Sequence, residues 1–342
     1  MVPNMESKVD YIFGDKLPIP LEPIEVAEGI LWFRLPMPIA LDHINIYLLD
    51  DGDSWILIDT GLADTKSIEI WTNILKKYLS KRPIQKIIGT HFHPDHVGLA
   101  GWLIERTGAE FWMSQIEWLS ARQAYLTVDS GFSQVMSAFY KKANLKPDLI
   151  KIYEDIGNDY RSMVTPIPLD YERIEQSTSF KIGDRIWKPV FGSGHSPDHV
   201  SFYCEKDRIM LGGDMLLPRI TPIIAVWWQE PNADPLKGYI EFLETLESIG
   251  SDALILPAHN RPYKELQTRV ADLIFHHNER LEITYEACKN ENSAEAIMQE
   301  LFIRKLDPFQ TRFAIGETIA HINNLIKKGT LKRCLDDDGV YF

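Results

Sequence analysis

The chain is poor in cysteine, short of positive charge and without a long apolar run. Three cysteines among 342 residues, Cys204, Cys288 and Cys334, have no metal-ligand spacing and cannot all pair. That fits a reducing cytosol and excludes a disulfide scaffold. No run of 18 apolar residues occurs, and the stretch Ile223 to Trp228 is far too short to span a bilayer. Met1 to Asp10 shows neither a basic n-region nor an apolar h-region, so the expectation is a cytoplasmic protein without a secretory signal. With 36 Lys+Arg against 49 Asp+Glu the formal charge is -13, which disfavours tight non-specific nucleic-acid binding by the chain as a whole. What remains, 45% hydrophobic and 25% charged residues, is ordinary globular composition. At this length about three-quarters of the unfolded surface is buried on folding, so a large core needs no staples.

Strand and helix patterns alternate along the first three-quarters of the chain. Trp55 to Asp59 reads as a buried strand ended by Thr60-Gly61, and Ile84 to Thr90 as another that runs straight into His91. Val97 to Arg106 has apolar positions at helical spacing closed by Gly108; a strand is expected over Ala109 to Met113 and a helix over Gln115 to Val128. Further strands are expected at Arg185 to Phe191, Val200 to Cys204, Arg208 to Leu211 and Ala253 to Leu256, with an amphipathic helix over Leu236 to Ile249. Such alternation argues for a layered α/β core. Phe132, Val135, Met136, Phe139 and Tyr140 form a helical stripe inside an insertion of about 112–175. It is either a helix packed on the core or a cap over a site. The tail from Arg261 is helix-rich (Leu266 to Lys289, Ser293 to Leu301, Arg312 to Lys328) and ends in a hairpin expected around Asp336 to Gly339, a winged-helix-like order.

The chemistry lies in a handful of side chains placed where strands end. Of ten histidines, five fall at such points: His91, His93 and His96, the last preceded by Asp95, then His195 and His259. Asp214 follows the Arg208 to Leu211 strand. Strand ends are where α/β folds gather reactive groups, because the sheet fixes them and the loops leave them open. Imidazole and carboxylate are ligands of borderline divalent ions, and zinc takes four of them, or three and a water. Seven ligands are too many for one tetrahedral ion and suit two that share a carboxylate. The expected division is His91, His93 and His195 on one ion, Asp95, His96 and His259 on the other, and Asp214 between. A hydroxide between ions about 3.5–4 Å apart would be ionised near neutral pH and attack a carbonyl or phosphoryl centre. Asp95 and Asp214 are the candidate catalytic carboxylates. Asp59 either orients a ligand histidine through its free ring nitrogen or caps the turn at Gly61. His43, His199, His276, His277 and His321 are read as structural.

The segments I-D-T-G (58–61), T-H-F-H-P-D-H-V-G (90–98), G-S-G-H-S (192–196), G-G-D (212–214) and P-A-H (257–259) resemble, in this order, the five motifs of the metallo-β-lactamase superfamily, over roughly residues 24–260. The resemblance implies a four-layer αββα sandwich with a helical insertion, a dinuclear site at one edge and hydrolytic chemistry. Asp214 stands where β-lactamases of this fold usually carry cysteine, and His93 where flavin-linked di-iron members carry glutamate. Asp214 and His259 are too close for the domain inserted there in some RNA-processing members. The seven-residue set is similar to that of glyoxalase II and the acyl-homoserine lactonases, which implies two divalent ions, zinc first, with iron or manganese as alternatives. Pro257 to Asn260, His276 to Arg280 and Ile319 to Gly329 resemble the winged-helix-like extension of a lactamase-like endoribonuclease subgroup. The expected domains are therefore 1–260, catalytic, and 261–342, helical and winged-helix-like.

Charge bears on the substrate. Residues 261–342 hold 12 Lys+Arg and 13 Asp+Glu, so nearly all the negative charge lies in 1–260 and the tail is close to neutral. A nucleic-acid-binding winged helix concentrates cations on its recognition helix. The tail is accordingly read as a structural or dimer-forming extension. Leu216 to Trp228, leaving Asp214 with few charges, either lines an apolar acyl pocket or is a core-packed connection. The expectation is a hydrolase of a small-molecule ester, thioester or lactone with an apolar acyl group. The alternatives are an endoribonuclease or phosphodiesterase with the same dinuclear site, and a sulfur dioxygenase with one iron.

Overall fold

Alternation along each strand decides which layer its side chains enter. In the computed structural model, which describes residues 9–39, 41–128, 130–290, 292–336 and 339–341, two mixed sheets are stacked and each carries helices on its outer face. In the first, β1 (Ile24–Ala27), β2 (Ile30–Pro36), β3 (His43–Asp50) and β4 (Trp55–Ile58) are antiparallel neighbours. The sheet continues in parallel through β5 (Ile84–Ile88), β6 (Glu110–Met113) and β7 (Glu172–Arg173). In the second, β8 (Phe180–Ile182), β9 (Arg185–Gly192), β10 (His199–Cys204) and β11 (Ile209–Gly213) are antiparallel, and β12 (Leu254–Pro257) runs parallel to β11.

The helices are α1 (Thr65–Tyr78), α2 (Pro94–Val97), α3 (Ala100–Thr107), α4 (Gln115–Leu126), α5 (Ser130–Lys142), α6 (Pro147–Ile156), α7 (Tyr160–Met163), α8 (Pro235–Thr245), α9 (Leu266–Ala287), α10 (Ala294–Leu301) and α11 (Pro308–Lys327). Tyr47, Ile56, Ile58, Ile209, Leu211, Leu254 and Leu256 point between the sheets, onto Trp32, Trp187 and Phe202. Their neighbours Trp55, Leu57 and Leu48 point the other way, onto Trp71 and Ile74 of α1, Leu103 of α3 and Ala121 of α4. Met210 and Ile255 turn outward onto Leu236, Tyr239 and Phe242 of α8 and Leu266, Val270 and Leu273 of α9. Three cores thus separate four layers in the order αββα, the architecture expected from the motifs. Among the described residues, no helix is long and apolar enough to cross a membrane.

A fourth core is built mainly from helices. Met136, Phe139 and Tyr140 of α5 and Ile150 and Tyr153 of α6 pack with Ile297 and Leu301 of α10 and Ala314, Ile315 and Ile319 of α11. The stripe in the insertion is therefore buried against the C-terminal helices, with Val135 left 55% exposed. The expected hairpin is present as β13 (Cys334–Asp336) paired antiparallel with β14 (Gly339–Tyr341); Asp337 and Asp338 lie outside the described residues. The helix expected from Val97 to Arg106 is interrupted: α2 ends at Val97 and α3 begins at Ala100. Leu99 N leaves the helix ladder, donating to the Gly61 carbonyl at 3.2 Å and to Thr60 Oγ1 at 3.1 Å. Gly98 permits this close approach, since a Cβ there would lie 2.6 Å from the Gly61 carbonyl oxygen.

Candidate metal centre

The two parallel strand pairs bring distant motifs to one rim. β4 and β5 run side by side with Ile58 opposite Ile88, so Asp59 and the 90–96 loop emerge together. β11 and β12 do the same with Gly213 opposite Pro257, delivering Asp214 and His259. The loop after β9, which carries His195, enters from the paired ends of β9 and β10, where Gly192 faces His199. Val200 N donates to the Thr90 carbonyl at 3.0 Å and Asn45 N to the Ala258 carbonyl at 2.7 Å, stitching the two sheets together behind the rim. Trp71, fully buried in α1, donates Nε1 to the Thr60 carbonyl at 2.8 Å and pins the turn after β4.

All seven predicted residues converge. His91, His93, His195 and Asp214 form one group of potential ligand atoms, and Asp95, His96 and His259 form a second. Asp214 faces both groups. Its Oδ2 lies 3.2 Å from His195 Nε2, while Oδ1 lies 3.3 Å from His259 Nε2 and 3.4 Å from His96 Nε2. Asp95 Oδ2 stands 3.4 Å from His259 Nε2 and 3.6 Å from His96 Nε2. An ion held tetrahedrally at about 2.0–2.1 Å from nitrogen and oxygen sets its ligand atoms roughly 3.3–3.4 Å apart, close to the 3.2–3.6 Å between these carboxylate oxygens and imidazole nitrogens. Among the described residues, His96 Nε2, His195 Nε2 and Asp214 Oδ1 are buried polar atoms without a hydrogen-bond partner. Three such orphans, one in each histidine group and one on the carboxylate between them, are costly unless cations satisfy them. The donor set therefore fits two divalent ions.

His93 Nδ1 lies 2.9 Å from His91 Nε2 inside the centre, while the outer nitrogens of the other four rings are tied down, which fixes their orientation. His96 Nδ1 lies 2.7 Å from Asp59 Oδ2, His259 Nδ1 lies 2.8 Å from the His43 carbonyl oxygen, and His195 Nδ1 lies 3.0 Å from that of Ile223. His91 Nδ1 is 3.1 Å from Thr90 Oγ1, which also contacts both oxygens of Asp59. With the protons drawn to Nδ1, the Nε2 lone pairs of His96, His195 and His259 are left for the centre. Asp59 sits at φ 59°, a left-handed conformation uncommon outside glycine, asparagine and aspartate.

Electrostatics divide the centre in two. Burial lowers the pKa of His91 well below the usual imidazole range, and neighbouring histidines add to the effect; His93 falls to about 3 for the same reasons. Burial also opposes charge on His96 and His259, but carboxylates overrule it. Asp59, Asp95 and Asp214 hold His96 well above the usual range, and Asp214 and Asp95 raise His259 to about 10. Burial disfavours the carboxylate of Asp95, yet His96 and His259 bring it down to about 2; Asp214 is likewise held well below the usual carboxylate range by His259, His96 and His195. The half around Asp95 is thus rich in balanced charge, and the half around His91 presents neutral imidazoles.

Several neighbours carry weight that the sequence does not announce. His43 contributes its carbonyl to His259, and its Nε2 accepts from Asn260 N at 2.7 Å. His199 Nε2 accepts from Asp214 N at 3.2 Å, behind the bridge position. Glu117, on α4, is fully buried within reach of the 91–93 and 195–198 loops. Burial raises its carboxyl to about 7 even though three donors face it. The Leu216 to Trp228 stretch is mostly core-packed: Leu216 and Ile224 are buried under α8 and Val226 among the C-terminal helices. Trp227 and Trp228 stay half-buried, and Arg312 lies over both rings.

Comparison with known proteins agrees with this geometry. Residues 39–259 match the metallo-beta-lactamase superfamily, and residues 281–342 match the metallo-beta-lactamase-like C-terminal domain. The chain is 35% identical to a beta-lactamase domain protein from Burkholderia ambifaria, with 98% of each chain covered and a TM-score of 0.90. It is 24% identical to the probable metallo-hydrolase YqjP of Bacillus subtilis, over 92% of this chain and 98% of that one. It is also 24% identical to the atrochrysone carboxyl ACP thioesterase of Emericella nidulans, over 66% of this chain and 54% of that one. Two stacked sheets, five motifs gathered at one rim and a matching C-terminal unit identify the chain as a member of the metallo-beta-lactamase superfamily.

Proposed function

We propose that the chain is a two-metal hydrolase that cleaves an ester, thioester or lactone with an apolar acyl group. The observation that carries this reading is the placement of Asp214, whose two carboxylate oxygens face different histidine groups. His91, His93 and His195 would hold one ion and Asp95, His96 and His259 the other, with Asp214 shared; zinc suits the nitrogen-rich set, and iron or manganese would fit the same donors. Bound there, two divalent ions supply a nucleophilic oxygen at neutral pH and polarise the oxygen of the scissile group.

The chain's own residues do the rest. Asp59 holds the His96 ring, and His43 and Ile223 hold His259 and His195 through backbone carbonyls, so the ligands are oriented before substrate arrives. Asp95 is the most exposed carboxylate of the set, its side chain 16% accessible, and is the candidate catalytic carboxylate more open to an entering substrate. Phe92, half-buried with its ring 4.8 Å from that of His93 and stacked on Tyr160, offers an apolar wall beside the centre. A relative named as an acyl carrier protein thioesterase supports a thioester among the substrates. Residues 1–260 would form the catalytic unit, and 261–342 a helical unit that buttresses it.

The test is a substrate panel run on metal-loaded protein: p-nitrophenyl esters, acyl-CoA thioesters, homoserine lactones and bis-p-nitrophenyl phosphate. Turnover of carbonyl substrates that rises with acyl chain length is expected. Activity confined to the phosphodiester would overturn the reading.

A further inference from the structure

The sequence Ser114-Gln-Ile-Glu117 at the start of α4 has the form of a capping box, in which the glutamate would turn back to the Ser114 backbone. Ser114 does cap the helix, accepting from Glu117 N at 3.4 Å. The Glu117 carboxylate goes elsewhere. Oε2 accepts from Phe92 N at 2.9 Å, and Oε1 accepts from Ser196 Oγ at 2.7 Å and from Asp198 N at 2.6 Å. Ser114 Oγ adds a bond to the Asp198 carbonyl at 3.0 Å. Phe92 lies between His91 and His93, and Ser196 follows His195. One carboxylate from the insertion therefore grips the two loops that deliver three histidines of the same group.

We infer that Glu117 is a positioning residue for the half of the centre formed by His91, His93 and His195, setting the separation of the two loops that carry them. The inference rests on the two-metal reading above. Glu117 is fully buried, so removing its oxygens strands two backbone N–H groups and a hydroxyl away from water. The other half has separate supports. His96 is held by Asp59, its carbonyl accepts from Thr60 N, and His259 is held by the His43 carbonyl; none of these passes through α4. The consequence is selective: loss of Glu117 loosens one half of the centre and spares the other.

The experiment is a cobalt(II) titration of chelator-stripped full-length protein, followed by d–d absorption and by elemental analysis. H93A and H259A give the reference spectra of each half alone. E117A is expected to bind cobalt about 10–100-fold more weakly in the half that H93A removes, with the half that H259A removes changed less than about twofold. Glutamine at 117 offers one acceptor oxygen where the carboxylate has two, so E117Q should fall between E117A and the parent. It carries the same comparison if E117A cannot be purified. E117A binding two cobalt ions with parental affinity, or both halves weakening together as a general loss of stability would dictate, would overturn the inference. A parent protein that binds fewer than two ions would instead overturn the two-metal reading, and the role of Glu117 with it.

Discussion

Replacing Asp59 with asparagine should weaken the half of the centre that contains Asp95, His96 and His259. Asparagine is the informative substitution because φ at this position is 59°, a conformation asparagine tolerates and alanine resists. Asp59 accepts from Thr90 N at 2.9 Å through Oδ1 and lies 2.7 Å from His96 Nδ1 through Oδ2. The amide has one acceptor oxygen and one donating nitrogen. Whichever way it is flipped, an N–H group faces either the Thr90 amide or the His96 ring N–H in a site closed to solvent. A buried donor left unsatisfied costs about 1–3 kcal/mol. Losing the carboxylate partner of a ligand histidine typically lowers metal affinity by about 10–100-fold, which at about 1.4 kcal/mol per decade is roughly 1.4–2.8 kcal/mol. The two routes agree in size. Competition against a chromophoric chelator measures the loss, and spectra of the metal-loaded variant show which half has lost its ion. An affinity within about twofold of the parent in both halves would refute the reasoning.

Other consequences follow from the helical unit. Between α9 and α11, His277 Nδ1 lies 3.3 Å from His321 Nε2, and Arg280 Nε lies 3.2 Å from His276 Nε2. Burial lowers His276 and His321 to about 4 and holds His277 well below the usual imidazole range, the cations and imidazoles around them adding to the effect. In the unfolded chain these groups take up protons near pH 6.5 that the folded state refuses. Their contribution is therefore complete above pH 6.5 and is lost as the pH falls from there towards 4. For the fully buried His321 this amounts to about 3 kcal/mol at most, and urea unfolding of the parent and H321N at pH 7.5 and 5.0 should show a smaller acid loss in the variant. Gly316 on α11 is the second prediction: a Cβ there would lie 3.0 Å from both Ala225 Cβ and the Val226 carbonyl oxygen. G316V should cost about 1–3 kcal/mol, read as a lowered urea midpoint.

Much of the site was legible because its parts are local. A strand that ends in candidate ligands is short, apolar and followed at once by them, so Ile84 to His96 and Ala253 to His259 stand out without knowledge of the fold. β1 to β3 were not anticipated. β3 is buried on both faces, one on α1 and one on the second sheet, so its residues do not alternate, and Asn45 interrupts the apolar run. The break after Gly98 was invisible because periodicity records which residues are apolar, and not that Leu99 N is taken by the Gly61 carbonyl and Thr60 Oγ1. Glu117 and His43 escaped for a related reason. One acts on residues 25 and 79 positions away, and the other acts through a carbonyl that any residue would supply.

Anomalous diffraction from crystals of metal-loaded protein, with elemental analysis of the same sample, tests the central claim most directly. Two equivalents per chain are expected, with one peak among His91, His93 and His195, the other among Asp95, His96 and His259, and Asp214 touching both. A single ion, or a second peak remote from Asp214, would contradict it.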